Sequence, residues 1–454
     1  MAANSLDGWL PAVLPVSVCS FRADDKRIAQ TLLDAGGVAA QSEPDVEIAP
    51  AGALRGDAAH AVVCIDAAQS EGGSRLVRAP LRAAGLAEAR VRALRARRAL
   101  QRAGYGSTST VMWDIDHVLY VPHLRASRRG RPLAELLPQR AVVSGTRGAE
   151  EPTTLQAAVG DAARAAGTTL TYGWPLARAG GIVVVADNGV LNVAVGPGRR
   201  KIEVQQTVLA SLAGAPAAVT RQLPSTLAVG RSGLADWSLE KRMPGTSPHG
   251  EVSPTLARDA VEFLVALYGA DAGAAPATSI SGDADVLAEV CLRPENAERL
   301  QTIGASLERD LFDIPRGFGH GDFWTKNLLA VDERLTGVVD WDGAGAGRLP
   351  VLDLLHLLLS AHRDRTRQYL GSALVDHLLP WARSGGDDLV RSYLRQIDLE
   401  LDPEQLERLA IAYWLDRMAL EVKGFSDRAR RPVWVRNNVD NVVAALAERS
   451  SLPA

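Results

Sequence analysis

The chain has 454 residues, 47% of them hydrophobic and 23% charged, which excludes disordered and fibrous classes and leaves room for about two or three globular domains. A net charge of −3 excludes a global pull toward nucleic acid or acidic membrane, and three scattered cysteines, Cys19, Cys64 and Cys291, exclude a disulfide framework and a zinc site. No stretch reaches the roughly 18 apolar residues of a membrane span, and the opening MAANSLDGWLPAVLPVSV has no basic segment ahead of its apolar run, so a cytoplasmic protein is expected.

Residues 1–150 read as one α/β accessory domain. AHAVVCIDA (59–67) is a short apolar run of the kind found in a buried strand. ARVRALRARRALQRAGY (89–105) is helical, with arginines on most exposed positions and a glycine near its end. The arginines suggest a solvated face rather than a nucleic-acid surface, since no aromatics interleave with them to stack bases. STSTVMWDIDHVLYVP (107–122) alternates like a strand and stops at Pro122. His117 and His123 lie near Asp114 and Asp116, where a metal could be held, although so loose a spacing on a strand favours a structural role. The polar stretch 124–152 is expected to be a linker region, with a short helix at 133–139.

Residues 151–248 change character. GGIVVVADNGVLNVAVGPG (180–198) holds two apolar runs joined by Asp187-Asn188-Gly189, and Asn-Gly between β-rich runs is a strong hairpin signal. RRKIEVQQTVLASLAG then reads as a helix with Ile202, Val208, Leu209 and Leu212 on one face, and LADWSLEKRMPG (234–245) as a strand ending in a Pro-Gly turn. Residues 249–454 are expected to be helical at 253–268, 283–311, 351–361, 366–380, 388–397, 403–422 and 435–449.

One hairpin interrupts those helices. In FGHGDFWTKNLLAVDERLTGVVDWDGAG (318–345), two apolar runs flank the polar turn Asp332-Glu333-Arg334. A hairpin returns its second end beside its first, so Asp322, Asn327 and Asp340 are expected to meet at its mouth. Three oxygen-bearing side chains there suit a hard divalent cation, above all Mg²⁺ holding substrate phosphates.

HGDFWTKNLL (320–329), followed by GVVDWDGAG (337–345) and PVLDLLHLL (350–358), resembles the aminoglycoside phosphotransferase and choline kinase group, over roughly residues 168–449. The resemblance implies an α+β, protein-kinase-like bilobal fold: a small β-rich N-lobe at 151–248 and a large helical C-lobe at 249–454. It implies an ATP- and Mg²⁺-dependent phosphotransferase acting on a hydroxyl of a sugar, an alcohol or an aminoglycoside-like molecule, with GTP as an alternative donor. Asp322 would accept the proton of the attacking hydroxyl, and Asn327 and Asp340 would hold Mg²⁺. His320 and Asp353 would brace the catalytic loop. Gly180 and Gly181 would lie over the phosphates, with Glu240 and Arg242 in the segment along the adenine. Phosphoryl transfer passes through a loose transition state, so positioning and charge neutralisation are the protein's main tasks.

The N-lobe departs from the pattern. Asn192 stands where a phosphate-neutralising lysine is expected, and Gln205 and Gln206 stand where its glutamate partner is expected. Either another cation serves the phosphates, with Arg199, Arg200, Lys201 and Lys241 as candidates, or the chain is a catalytically impaired pseudokinase. The second alternative would make it a binding or scaffold protein in a glycoconjugate or cell-envelope pathway. Aromatics and Asp416 or Arg417 in YWLDRMALE (413–421) lie on helices near which the acceptor would dock, although helical aromatics at such spacing are more often core. Residues 1–150 also resemble the closing half of a class I methyltransferase-like domain that lacks the cofactor loop.

Overall fold

A computed structural model of the chain describes residues 151–171, 175–178, 181–248, 252–270, 279–424 and 431–448 throughout, and before them mainly the strands of one sheet and a helix over 93–102. The chain is α+β and divides into two compact units. One comprises 3–203 and 225–242, the other 204–224 and 243–454 with the first two residues.

In the first unit a seven-stranded sheet is built from β1 (Ser20–Ala23), β2 (Val38–Ala39), β3 (Val46–Ile48), β4 (His60–Asp66), β5 (Ser107–Trp113), β6 (Leu119–Tyr120) and β7 (Arg140–Thr146), in the order β2-β1-β3-β4-β7-β5-β6. The first four strands run parallel, and β7 is inserted antiparallel between β4 and β5. β4 coincides with the run read as a strand at 59–67, while the run read over 107–122 holds two strands, β5 and β6, paired antiparallel. β7 corrects the linker expected at 124–152. Its RAVVSGT pattern is short and set in polar sequence, and both of its edges are satisfied by strands distant in the chain. The expected helix at 133–139 and the residues His117, His123, Asp114 and Asp116 lie outside the described residues. On the helix over 93–102, Ala93, Ala96 and Leu100 are buried while Arg95, Arg97, Arg98 and Arg102 are exposed, which is a solvated basic face.

The same unit holds α1 (Thr154–Ala165), capped reciprocally by Thr153 and Gln156, and a second, antiparallel sheet. Its strands are β8 (Leu176–Arg178), β9 (Gly181–Val185), β10 (Gly189–Val195), β11 (Thr226–Ser232) and β12 (Ala235–Lys241), in the order β11-β12-β10-β9-β8. Asp187 and Asn188 turn β9 into β10 as the Asn-Gly signal implies. Leu191, Val193 and Val195 bury one face of β10. They share a core with Leu155 and Ala158 of α1 and with Phe21, Val46 and Val62 of the first sheet.

The boundary between the units falls inside α2 (Arg199–Ser211), whose Val208 is buried. The second unit is helical: α3 (Pro254–Tyr268), α4 (Ile280–Ala288), α5 (Pro294–Asp310), α6 (Leu352–Thr366), α7 (Asp388–Gln396), α8 (Pro403–Gly424) and α9 (Asn441–Glu448), among shorter turns. The single helix expected over 283–311 is two. Pro294 lacks an N–H and begins α5 at its first position rather than continuing α4. Both 366–380 and 435–449 contain a π-helical turn, at Leu374–Leu378 and Arg436–Asp440. Between α5 and α6 lie two two-stranded ribbons, β13 (Gly317–Gly319) with β16 (Gly345–Arg348) and β14 (Leu328–Val331) with β15 (Arg334–Val338). Only the second was expected. Phe263 of α3 stacks on Phe323 at 5.7 Å and meets Trp341 edge-on at 6.2 Å, which fixes the loops at both ends of that ribbon to the core.

Candidate active site

The site is built on β14 and β15. Their turn is two residues, Asp332 and Glu333, both with positive φ (48° and 62°), as a type I′ hairpin requires. Arg334, expected in the turn, opens β15 and pairs with Asp259 at 2.7 Å. At the open end, Leu328 pairs with Val338, and the Val339 N–H donates to the Asn327 carbonyl at 2.9 Å. Asp340, next along the chain, takes a left-handed backbone (φ 69°), so the strand breaks off there. Asn327 and the residue before Asp340 are therefore bonded neighbours. Asn327 Nδ2 donates to the Asp322 carbonyl and to its Oδ2, both at 2.9 Å. The structure thus brings Asp322 and Asn327 into contact and sets Asp340 one residue beyond the hairpin's last bond.

The loop before Asp322 is held from three sides. His320 is fully buried; its Nε2 donates to the Val339 carbonyl at 3.2 Å, and its Nδ1 accepts from the Asp322 N–H at 3.2 Å. Burial lowers the pKa of this imidazole, which keeps it neutral and able to serve in both directions. Trp341 packs on its ring at 4.6 Å. Asp353, in the first turn of α6, accepts the N–H of His320 at 2.7 Å and of Gly321 at 2.9 Å. Gly321 has φ +79°, and a Cβ there would overlap the Gly343 carbonyl, so this position excludes every side chain.

The carboxylate of Asp322 is surrounded by donors that the sequence reading did not assign to it. Its Oδ1 accepts from Arg417 Nη2 at 2.8 Å and from His356 Nε2 at 3.2 Å. Arg417 Nη1 also donates to the Gly321 carbonyl at 2.7 Å, so a single guanidinium on α8 clamps both the carboxylate and its loop. Burial alone would raise the Asp322 pKa. The hydrogen bond from His356 and the charge of Arg417 outweigh it and hold the carboxyl well below the usual range. His356 is in turn bonded through Nδ1 to the Tyr413 hydroxyl at 2.9 Å. Burial and the Arg417 charge push His356 down to about 4, and burial raises Tyr413, so the chain at neutral pH is a phenol donating to an imidazole that donates to a carboxylate. A signal existed in the sequence: His356 follows Asp353 by three residues and Arg417 follows Tyr413 by four, each pair on one helix face. Which faces meet was not readable. Tyr413 and Trp414 are fully buried, so these aromatics are core.

The N-lobe candidates all belong to the first unit. Gly180 lies outside the described residues. Gly181 opens β9 with its Cα against the Val193 carbonyl of β10, so a side chain there would break the ladder. Asn192 lies mid-strand on β10, paired with Val183 and Ser238. Glu240 is buried on β12, and exposed Arg242 reaches the Ala186 carbonyl at 3.4 Å. Arg199 is bound to Asp236 at 2.7 Å, while Arg200, Lys201 and Lys241 are exposed.

Asn327 and Asp340 carry the donor type that a magnesium ion takes. The Asn327 amide spends its N–H₂ on Asp322, so its Oδ1 is the atom it could offer a cation, and Asp340 carries a carboxylate. Both are hard oxygen donors. Among the described residues no group of three or more His, Cys, Asp or Glu forms a metal cage, and Mg²⁺ needs none. It is ordinarily held by one or two protein oxygens, substrate phosphates and water.

The sequence model of the APH phosphotransferase enzyme family matches residues 196–384. Among solved structures the chain is similar to aminoglycoside phosphotransferase APH(2'')-Ib bound to ADP, at 16% identity and TM-score 0.40, over 59% of this chain and 90% of that one. It is similar to a thermostable mutant of APH(4)-Ia in a ternary complex with ADP and hygromycin B, at 17% identity and TM-score 0.42, over 64% and 98%. It is also similar to APH(3'')-Id from Streptomyces rimosus, at 15% identity and TM-score 0.37, over 56% and 96%. No curated protein matches the chain.

Proposed function

From a chain whose residues 196–384 match the APH phosphotransferase enzyme family, we propose an enzyme that moves the γ-phosphoryl group of ATP, with Mg²⁺, onto a hydroxyl of a small molecule. The observation that carries this is the bonded set at the hairpin mouth: Asn327 joined to Asp322 by its side chain and to Val339 by its carbonyl, with Asp340 following. In the proposed reaction the acceptor oxygen forms a bond to the γ-phosphorus and the bond to the leaving ADP oxygen breaks. The hydroxyl proton passes to the Asp322 carboxylate. Arg417 and His356 occupy Oδ1 of that carboxylate, which fixes its plane and leaves Oδ2 to meet the hydroxyl beside Asn327. With so low a pKa Asp322 is a weak base. Its main task is orientation, as a loose transition state demands, and the proton leaves late. Asn327 and Asp340 would hold Mg²⁺, which when bound would supply neutralisation of the charge developing on the transferred group.

Titration with Mg–ATP tests the assignment. Asp340→Asn is expected to abolish metal-dependent nucleotide binding. Asp322→Asn is expected to keep binding and lower turnover on the order of 10²–10⁴-fold. Equal loss of binding in both variants would refute the roles.

A second reading is favoured by Asn192 on β10 and by Arg199, already neutralised by Asp236. If no cation replaces the missing lysine, the chain is a pseudokinase that binds rather than transfers, with residues 1–150 as its accessory domain. Tight nucleotide binding without turnover on pooled sugars and alcohols would establish it.

A further inference from the structure

Three half-buried arginines of the helical unit meet a carboxylate: Arg348 meets Asp416 at 3.1 Å, Arg417 meets Asp322 at 2.8 Å, Arg408 meets Asp310 at 3.4 Å. Arg363 does not. It is partly buried near the end of α6, and among the described residues its one side-chain hydrogen bond is from Nε to the Gln368 carbonyl at 3.3 Å. Only Asp364, its chain neighbour, and the phenol of Tyr413 favour its charge. Burial and the like charge of Arg417 oppose it. A guanidinium partly taken out of water, with no carboxylate in contact among the described residues, is poorly compensated.

Its position relates it to the site. Arg363 lies seven residues, two helical turns, beyond His356, so both occupy one face of α6. The opposing face of α8 presents Tyr413 and Arg417 one turn apart. Tyr413 joins the two ends of this seam: its hydroxyl bonds His356, which bonds Asp322, and it feels the charges of both Arg417 and Arg363. The seam therefore runs from the carboxylate that would orient the acceptor hydroxyl to a cation with no carboxylate in contact among the described residues, which lies about 10 Å beyond His356 along α6.

We infer that the acceptor carries an oxyanion, a carboxylate or a phosphate, that seats against Arg363 while its hydroxyl lies at Asp322. The inference rests on the phosphotransferase reading and narrows it to anionic acceptors. An oxyanion would complete the pairing that Arg363 lacks, and the planar fork of a guanidinium matches both groups. A polycationic acceptor would meet the charge of Arg363 and be disfavoured.

The test compares wild type with Arg363→Gln and Arg363→Lys on three acceptors of one skeleton: glucose, glucuronate and glucose 6-phosphate. Each is read by phosphate transfer from Mg–ATP and by calorimetric binding to the Mg–ADP-loaded protein. Wild type is expected to favour a charged acceptor over glucose by about tenfold or more in either readout, a ratio worth one charge-assisted contact. Glucuronate ahead of glucose 6-phosphate assigns a carboxylate, the reverse a phosphate. Arg363→Gln should bring the ratio near one, and Arg363→Lys should retain part of it. Indifference to charge in wild type, or a preference that survives Arg363→Gln, overturns the inference. Charge-selective binding through Arg363 without phosphate transfer sinks only the phosphotransferase reading, and transfer without charge preference sinks only the anion site.

Discussion

Replacing Asp353 tests how the loop ahead of Asp322 is held. Its two carboxylate oxygens accept the N–H groups of His320 at 2.7 Å and Gly321 at 2.9 Å. His320 has no exposed surface, so water cannot substitute for the lost acceptor. A hydrogen bond to a charged group contributes about 1.5–3 kcal/mol, and stranding a buried donor costs a similar amount. Two such bonds make Asp353→Ala worth about 3–6 kcal/mol, a large part of the 5–15 kcal/mol that stabilises an ordinary domain. Asp353→Asn keeps one acceptor and turns an N–H₂ toward the other donor, so about half that loss is expected. Urea unfolding followed by tryptophan fluorescence is a direct assay, because Trp341 packs 4.6 Å from the His320 ring and senses the loop. The midpoint should fall while the slope stays constant. Phosphate transfer should fall with it, since the loop carries Asp322. A loss below about 1 kcal/mol in Asp353→Asn, with unchanged slope, would show that Asp353 does not anchor the loop.

Acid should destabilise the protein through His356. Its folded value is pushed down to about 4 against an ordinary 6.5, so the unfolded chain takes up the proton first. Stability is complete above about pH 6.5 and declines as pH falls from there to about 4, by at most about 1.4 kcal/mol per pH unit. Asp322, whose carboxyl is depressed, adds loss in the same direction at still lower pH. Urea midpoints measured from pH 7 to 4 should fall less steeply in His356→Gln than in wild type, and equal slopes would refute the assignment. Gly321→Ala places a methyl against the Gly343 carbonyl at φ +79°. The backbone conformation alone costs about 1–2 kcal/mol, and the displaced loop should lower turnover on the order of a hundredfold. Turnover within about twofold of wild type would mean that the loop tolerates the shift.

Local pattern was enough for elements whose signals are local. Alternating apolar residues and two turn-forming residues define β14 and β15, and the Asn188-Gly189 pair defines β9 and β10. The HGD-to-Asn spacing within them placed Asp322 beside Asn327 without knowledge of the rest of the chain. Where a pattern was weak or crossed a proline, the reading failed. RAVVSGT passed for linker because a seven-residue strand is stabilised by neighbours on both sides that lie far away in sequence. The helix drawn over 283–311 ran through Pro294, although a proline in that position starts a helix rather than extending one.

The order of residues determined which oxygen-bearing side chains stand at the end of one hairpin, because a hairpin is closed by contacts a few residues apart. It did not determine what surrounds the Asp322 carboxylate. Arg417 lies 95 positions from Asp322 and His356 lies 34, and they reach it only because α6 and α8 pack with particular faces together. Helix periodicity tells which residues share a face but not which face of another helix they meet; that choice is made by the fit of the whole core. The tertiary structure therefore decided that Asp322 is a clamped, strongly acidic carboxylate, and that Arg363, two turns beyond His356, meets no carboxylate among the described residues.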